Sequence, residues 1–377
     1  MKKICFIVST PMTAEVFLKN PIYSLSDKYE IHLAANLSDI NKAIKIDGVS
    51  KIHHLPIKRK ISFFNDVSCL FKAYIFFKKS KFHAIHSISP KAGLISMLGG
   101  LFACIPMRTH TFTGQVWANK TGIYCTILKL IDKLINNCAT HIIVDGKSQR
   151  EFLIKHKVVN EESLVLGVGS ICGVDLERFK PSETTRQSVR DKLGFKQEDW
   201  VFMFLGRLNK EKGVVDLINA FTQIKTSLHQ KLILVGHDEE NIIDNNKEII
   251  KSNNITYLPF SDKPEETIQA CDAFCLPSYR EGFGLSVIEA SALSKPIICS
   301  DIYGLKDTII EHKTGIRHQA KNIEDISKKL VFALENKELM KKMGIEGRKY
   351  VSENFSDEIV LKEWINFYEN LFKKNIF

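Results

Sequence analysis

The sequence predicts an α/β protein built from two doubly wound domains. Three observations predict it. Short apolar, β-branched runs alternate with amphipathic stretches along the whole chain. One polar stretch without such runs interrupts the alternation, and the 377 residues suit two domains at the usual size of roughly 100–200 residues each. Hydrophobic residues make up 44% and charged residues 25% of the chain, the balance of a packed protein, which excludes disordered and collagen-like classes.

The first apolar run, Ile4–Val8 within MKKICFIVSTP, is shorter than the roughly 7–15 residues of a signal-peptide core, so it reads as the first strand. Ile31–Ala35, Ile52–Leu55, Ala84–Ile88, Arg108–Thr111, His141–Val144 and Leu164–Val168 follow as strands of the first domain. Stretches such as CTILKLIDKLINNC carry the helical period between them. The uncharged run Ala92–Met107 falls below the roughly 18–20 residues of a membrane span and contains Gly99, Gly100 and Pro106. It reads as a buried helix and turn.

Residues 175–199, with Pro181 and no strand candidate, read as the linker. Val201–Leu205, Lys231–Val235, Ile255–Leu258, Ala273–Leu276 and Pro296–Ser300 are the strands of the second domain, with DLINAFTQI among its helices. Such alternation implies parallel sheets covered by helices, and two such domains would leave a cleft beside the carboxyl ends of their strands. The final stretch, SDEIVLKEWINFYENLF, reads as one helix with Ser356 as its N-cap. Its aromatic face of Trp364, Phe367 and Tyr368 requires a partner surface. Expected boundaries are 1–180, 181–355 and a terminal helix 356–377.

Charge is unevenly placed. Lys+Arg 53 against Asp+Glu 43 gives +10; residues 1–180 hold 25 basic and 13 acidic side chains (25 − 13 = +12), the remainder 28 and 30 (−2). The basic half fits an anionic partner (nucleic acid, anionic membrane or phosphorylated ligand), and equally a solvated surface. No recognition-helix, zinc or RNP signature occurs, so nucleic acid is not expected. Nine cysteines without a C-x-x-C pair suit reduced thiols in a cytosolic setting. Lys58–Phe82 interleaves basic and aromatic residues around a single Asp. That composition suits a helix at a membrane interface, or a helix packing its rings on a sheet with its lysines in water.

Two segments carry chemistry. REGFGLSVIEAS, residues 280–291, follows a strand, turns on two glycines and opens a helix near Leu285. The N–H groups of Gly284, Leu285 and Ser286 then point from a helix N-terminus, where an anion binds, while Glu281 and Glu289 offer carboxylates to hydroxyls. GRLNKEKG, residues 206–213, follows the strand Val201–Leu205, so Arg207 and Lys212 could flank a diphosphate at the strand's end. Spacing alone also fits ordinary turns with surface charges. No D-x-D motif occurs in the chain, and Lys212 is followed by Gly213, unlike a Walker loop.

G-R-x4-K-G from Gly206 to Gly213, followed by E-x7-E from Glu281 to Glu289, resembles the retaining glycosyltransferases of the GT-B fold, family 4 type, over essentially the whole chain. The resemblance implies two Rossmann-like domains facing a cleft, with the last helix crossing back to the first. It implies that Arg207 and Lys212 hold the donor diphosphate without metal or cofactor, and that Glu281 bonds the donor sugar. Gly284, Leu285 and Ser286 would offer N–H groups, Glu289 would hold the ribose, and Gly236 would lie near the base. The first domain departs from the pattern: STPMTAEVF lacks the glycine loop, and Thr113 stands where many members have a histidine. HSISPKAG and HTFTGQVWA resemble a bacterial subgroup that extends lipid-linked oligosaccharides for O-antigen, capsule or N-glycan assembly. His86, Lys91, Thr113 and Gly114 are therefore the acceptor-side candidates.

The expected activity is transfer of a hexose or N-acetylhexosamine from a nucleotide diphosphate sugar, UDP-linked, to a polyprenyl-diphosphate saccharide. The expected location is peripheral, on the inner face of the cytoplasmic membrane. The alternatives are a UDP-HexNAc 2-epimerase on the same fold, a basic nucleic-acid-binding protein, and an NAD-binding domain carrying GVGSICG (Gly167–Gly173).

Overall fold

The computed structural model describes residues 1–38, 45–58, 62–224 and 229–374, so residues 59–61 of the Lys58–Phe82 segment lie outside the described residues. The chain forms two units, Met1–Gly173 with Asp357–Phe377, and Val174–Ser356.

In unit 1, β1 (Lys2–Ile7) leads through α1 (Pro11–Phe17) and α2 (Lys19–Ser26) to β2 (Tyr29–Ala35) and β3 (Val49–His54). There follow α3 (Phe63–Ser80), β4 (Ala84–Ile88), α4 (Pro90–Phe102), β5 (Met107–Phe112), α5 (Gly122–Cys138), β6 (His141–Val144), α6 (Lys147–Lys155) and β7 (Leu164–Val165). These strands form a parallel sheet in the order β3-β2-β1-β4-β5-β6-β7. Burial on both faces explains why β1 reads from Ile4 as a continuous apolar run rather than an alternating one, and all five residues of β4 are buried as well. On one face α3, α4 and α5 share a core containing Phe77, Ile95, Met97, Phe112 and Ile135.

Unit 2 begins with α7 (Glu183–Lys192), β8 (Trp200–Leu205), α8 (Val214–Thr222), β9 (Gln230–Val235), α9 (Ile242–Asn245), α10 (Lys247–Ser252) and β10 (Ile255–Leu258). It continues through α11 (Pro264–Thr267), β11 (Ala273–Leu276), α12 (Leu285–Ala292), β12 (Ile297–Ser300), β13 (Gly315–His318), α13 (Ile323–Glu335) and α14 (Lys337–Asn354). Its parallel sheet runs β10-β9-β8-β11-β12-β13. The last helix, α15 (Asp357–Lys374), belongs to unit 1.

Three expectations need correction. The sequence reading has no β13, because GIRH is short and half polar and lies at the sheet's end. The strand expected at Leu164–Val168 stops at Val165. The polar stretch 175–199 is not a spacer: it contains α7, capped by the Ser182 hydroxyl, which accepts from the Thr185 N–H. Arg190 of that helix is buried, donating to the carbonyls of Ala270, Lys196 and Asp199, and Asp272 pairs with Arg186 at 2.6 Å and with Arg190 at 3.3 Å. Charged side chains there serve as core, because their donors are satisfied as they are buried. Gly167–Gly173 runs through turns and opens no helix, which agrees with its reading as a turn and leaves the NAD-binding alternative without a phosphate-binding helix.

The aromatic face of α15 finds its partners within unit 1. Trp364 and Tyr368 are fully buried, Trp364 Nε1 donates to the Ile171 carbonyl at 3.0 Å, and both rings meet Phe6 of β1 edge-on. No helix among the described residues is long and apolar enough to cross a membrane.

Candidate functional site

In unit 2 the strand order reverses between β8 and β11, the place where open α/β sheets bind ligands beyond their carboxyl ends. Both motif loops leave the sheet there. The β8 loop, Gly206–Gly213, is closed by a 3-10 turn over Lys210–Lys212 that Asn209 caps through its side chain. The β11 loop, 277–284, lies against it. A Cβ on Gly213 would sit 2.1 Å from the Pro277 carbonyl oxygen, and the Tyr279 N–H donates to the Glu211 carbonyl at 2.8 Å. On the other side, a Cβ on Gly236 would sit 1.9 Å from the Gly206 carbonyl oxygen, so the β9 loop can approach only with glycine.

The structure brings Lys212 and Glu281 together. Lys212 Nζ lies 2.5 Å from Glu281 Oε1, which also accepts from the Ser278 hydroxyl at 2.7 Å. Arg207 Nη1 donates to both oxygens of Glu239, at 3.0 and 3.1 Å, and Asn209 Nδ2 donates to Glu239 Oε2 at 2.8 Å. Burial opposes ionisation of Glu239, but the hydrogen bonds from Asn209 and Arg207 outweigh it and hold the carboxyl below its usual range. Each cation thus faces a carboxylate.

Sequence reasoning missed Glu239, although HDEE directly after LILVG on β9 is a readable signal. It also missed Arg280, whose Nη2 pairs with Glu211 at 2.7 Å, and Tyr279, whose hydroxyl donates to Asp216 at 2.6 Å. These contacts tie the two motif loops and α8 together.

Gly284 caps α12 with φ 84° and offers no capping side chain. The first-turn N–H groups of Leu285 and Ser286 are those that an α-helix leaves without an intrahelical acceptor. One turn inside, burial raises the Glu289 carboxyl to about 7, with Arg178 opposing the rise and Glu265 adding to it. On the expectation that Glu289 holds the ribose of a UDP-sugar, its ionised carboxylate accepts hydroxyls better than the neutral acid, so binding would be stronger above pH 7 than below it. The expected result is that UDP affinity falls several-fold from pH 8 to pH 6, approaching tenfold per pH unit well below the carboxyl's pKa. Titration of Glu289→Gln alongside checks this, since the variant should keep only the slope due to the nucleotide's own phosphate. Parallel pH profiles for the two proteins would refute it.

The acceptor-side candidates of unit 1 stand differently. His86 is fully buried, with Nδ1 at 2.8 Å from the Tyr368 hydroxyl and Nε2 at 2.7 Å from Thr111 Oγ1. Burial, with His110 nearby, lowers it to about 3, so it stays neutral. In unit 1 it joins β4 to β5 and α15. Lys91 pairs with Asp66 at 2.8 Å. Thr113 is half-buried, and Gly114 is buried with φ 95°. His110 is buried too; its Nδ1 meets Ser87 Oγ at 2.8 Å while Nε2 has no partner among the described residues.

Comparison with known proteins follows the same lines. A family model described as "Glycosyl transferases group 1" matches residues 185–350. A capsular polysaccharide biosynthesis glycosyltransferase of Staphylococcus aureus is 30% identical over 351 residues, covering 92% of this chain and 91% of the relative. An N,N'-diacetylbacillosaminyl-diphospho-undecaprenol alpha-1,3-N-acetylgalactosaminyltransferase of Campylobacter jejuni is 26% identical, covering 77% of each chain. Among solved structures, HepE of Anabaena in complex with UDP-glucose superposes with a TM-score of 0.80 at 16% identity, over 98% of this chain and all of that one, a likeness of fold.

Proposed function

Because the chain belongs to the group 1 glycosyl transferases and has their GT-B fold, we propose that it moves a hexosyl or N-acetylhexosaminyl group from a UDP-sugar to a lipid-linked saccharide, with retention at the anomeric carbon. The observation that carries this reading is the meeting of Lys212, Glu281 and the α12 N-terminus at the reversal of the unit 2 sheet. The activities for which relatives are named support the acceptor class: besides the Campylobacter enzyme, an Escherichia coli relative, 24% identical, is named for transfer from UDP-Gal to a GlcNAc-diphosphoundecaprenol.

Arg207 and Lys212 would take the diphosphate from Glu239 and Glu281 and stabilise the charge it gains as the bond from C1 to the phosphate oxygen breaks. The acceptor oxygen bonds to C1 on the same face, and its proton passes to the departing diphosphate oxygen, releasing UDP. Glu281, freed by the exchange, would accept hydroxyls of the donor sugar, and Glu289 those of the ribose. Gly284, Leu285 and Ser286 would direct N–H groups at the same ligand, and Gly236 would leave room beside the base. Fixed charges aimed where charge develops form the largest catalytic contribution in such sites. No metal or cofactor is needed for these steps. The enzyme would work peripherally at the cytoplasmic face of the membrane that carries its acceptor.

Incubation with a panel of UDP-sugars and short polyprenyl-diphosphate saccharides, read by mass spectrometry, tests the reading. A product heavier by one sugar, formed undiminished in excess EDTA, is expected. Absence of product with every donor would refute the transfer, and activity abolished by EDTA and restored by Mg²⁺ would refute the metal-free site.

A further inference from the structure

Glu281 stands in a loop with little stiffness of its own. Gly282 and Gly284 follow it, and glycine restricts the backbone least. Contacts from outside the loop must therefore hold the carboxylate where a sugar could meet it. Three side-chain pairs join this loop to the segment that carries Lys212. Lys212 meets Glu281 at 2.5 Å, Glu211 meets Arg280 at 2.7 Å, and the Tyr279 hydroxyl donates to Asp216 Oδ2 at 2.6 Å.

In the exchange proposed above the first of these pairs opens, because Lys212 passes to the diphosphate. Of the three, two then remain. Arg280 and Glu211 form a partly exposed ion pair, with side chains 20% and 37% accessible, and solvent leaves such a pair little net strength. Tyr279 and Asp216 are half-buried, and a hydrogen bond that ends on a carboxylate is of the stronger kind. Burial, and after it the bond to Asp216, raises the Tyr279 hydroxyl above its usual range, so it stays protonated and remains the donor. Other elements fix the same residue. Its N–H donates to the Glu211 carbonyl at 2.8 Å, and Lys321, just after β13, places Nζ 5.0 Å from the centre of its ring. With its hydroxyl engaged by Asp216, Tyr279 acts on Glu281, two residues along, rather than on a ligand.

We infer that Tyr279, held by Asp216 of α8, is the positioning residue for Glu281, keeping that carboxylate at the donor sugar once Lys212 has turned to the diphosphate. The inference rests on the donor site proposed above and adds to it a pair that lies outside both sequence motifs. Tyr279→Phe keeps the ring beside Lys321 and removes only the hydroxyl. Its expected signature is a split: kcat falls about tenfold while UDP affinity stays within about twofold, since a slightly misplaced group costs turnover more than nucleotide binding. Calorimetry without acceptor reads the same effect apart from transfer, with UDP-glucose, UDP-galactose and UDP-N-acetylglucosamine as probes. The affinity for the probe that the parent prefers should fall several-fold relative to that for UDP.

Asp216→Ala should match Tyr279→Phe. Asp216→Asn still offers an oxygen to the hydroxyl and should recover most of the loss. Because the two groups act through one bond, Tyr279→Phe combined with Asp216→Ala should be no worse than either alone. A bond that merely stabilises the fold would lower the melting temperature and UDP affinity together and leave the ratio of UDP-sugar to UDP affinity unchanged. That result would overturn the inference, and so would a Tyr279→Phe protein with parental kcat and parental ratio. A parent that shows the change in ratio yet transfers no sugar would count against the proposed reaction and leave the positioning role standing. Binding of none of the probes would remove the donor site and this role with it.

Discussion

Replacing Lys212 with alanine is expected to lower kcat by about 10²–10³-fold, the usual consequence of deleting one fixed positive donor from a site where negative charge develops. The effect should fall mainly on kcat, because the diphosphate gains charge as the bond breaks. Lys212→Ala also strips Glu281 of its partner at 2.5 Å, leaving that carboxylate with the Ser278 hydroxyl. Lys212→Gln therefore belongs beside it: it keeps a hydrogen-bond donor and lacks the charge, and its turnover should stay close to that of Lys212→Ala. A melting curve separates instability from chemistry. Turnover within about twofold of the parent in both variants would remove Lys212 from the mechanism, whatever its place in the fold.

The two glutamates of the E-x7-E pair should separate nucleotide from sugar. Glu289→Ala should weaken free UDP and the UDP-sugar alike, by about tenfold or more, within reach of the roughly 1.5–3 kcal/mol of a hydrogen bond to a charged group. Glu281→Ala should leave UDP affinity equal or improved, since it releases Lys212 to the diphosphate, while turnover drops about tenfold to a hundredfold. Because Glu281 and Lys212 are in contact, the double substitution should cost less than the two losses combined. Calorimetry with UDP beside product assays reads all of this. If both single variants bind UDP and turn over like the parent, the donor site lies elsewhere.

Much of this architecture could be read from periodicity. Parallel strands buried on both faces appear as short apolar runs, so Ala84–Ile88, His141–Val144, Ile255–Leu258 and Ala273–Leu276 have the same limits in sequence and structure. Elements built on polar side chains escaped. α7 looked like a linker because Arg186 and Arg190 draw part of their partners from far along the chain, such as the Ala270 carbonyl and Asp272. At the site, the turn and helix start around Gly284 and Leu285 follow from local chemistry. The pairing of Arg207 with Glu239 does not, because it depends on which strand lies beside β8. His86 shows the same limit from the other side: it sits in the middle of β4 and is covered by a helix encoded beyond unit 2, a contact that no local pattern announces.

That covering helix has a consequence for synthesis. Unit 1 takes its strands from residues encoded before unit 2 and α15 from residues encoded after it. Phe6, His86 and the Ile171 carbonyl, which α15 buries or bonds, must therefore wait on the ribosome without their partners while Val174–Ser356 is translated. At about 5–20 residues per second, that delay lasts on the order of ten seconds or more. Unit 2 is continuous in sequence and can finish folding first. The nascent chain would thus carry one completed unit and one with an uncovered sheet face, the state in which chaperones would find it.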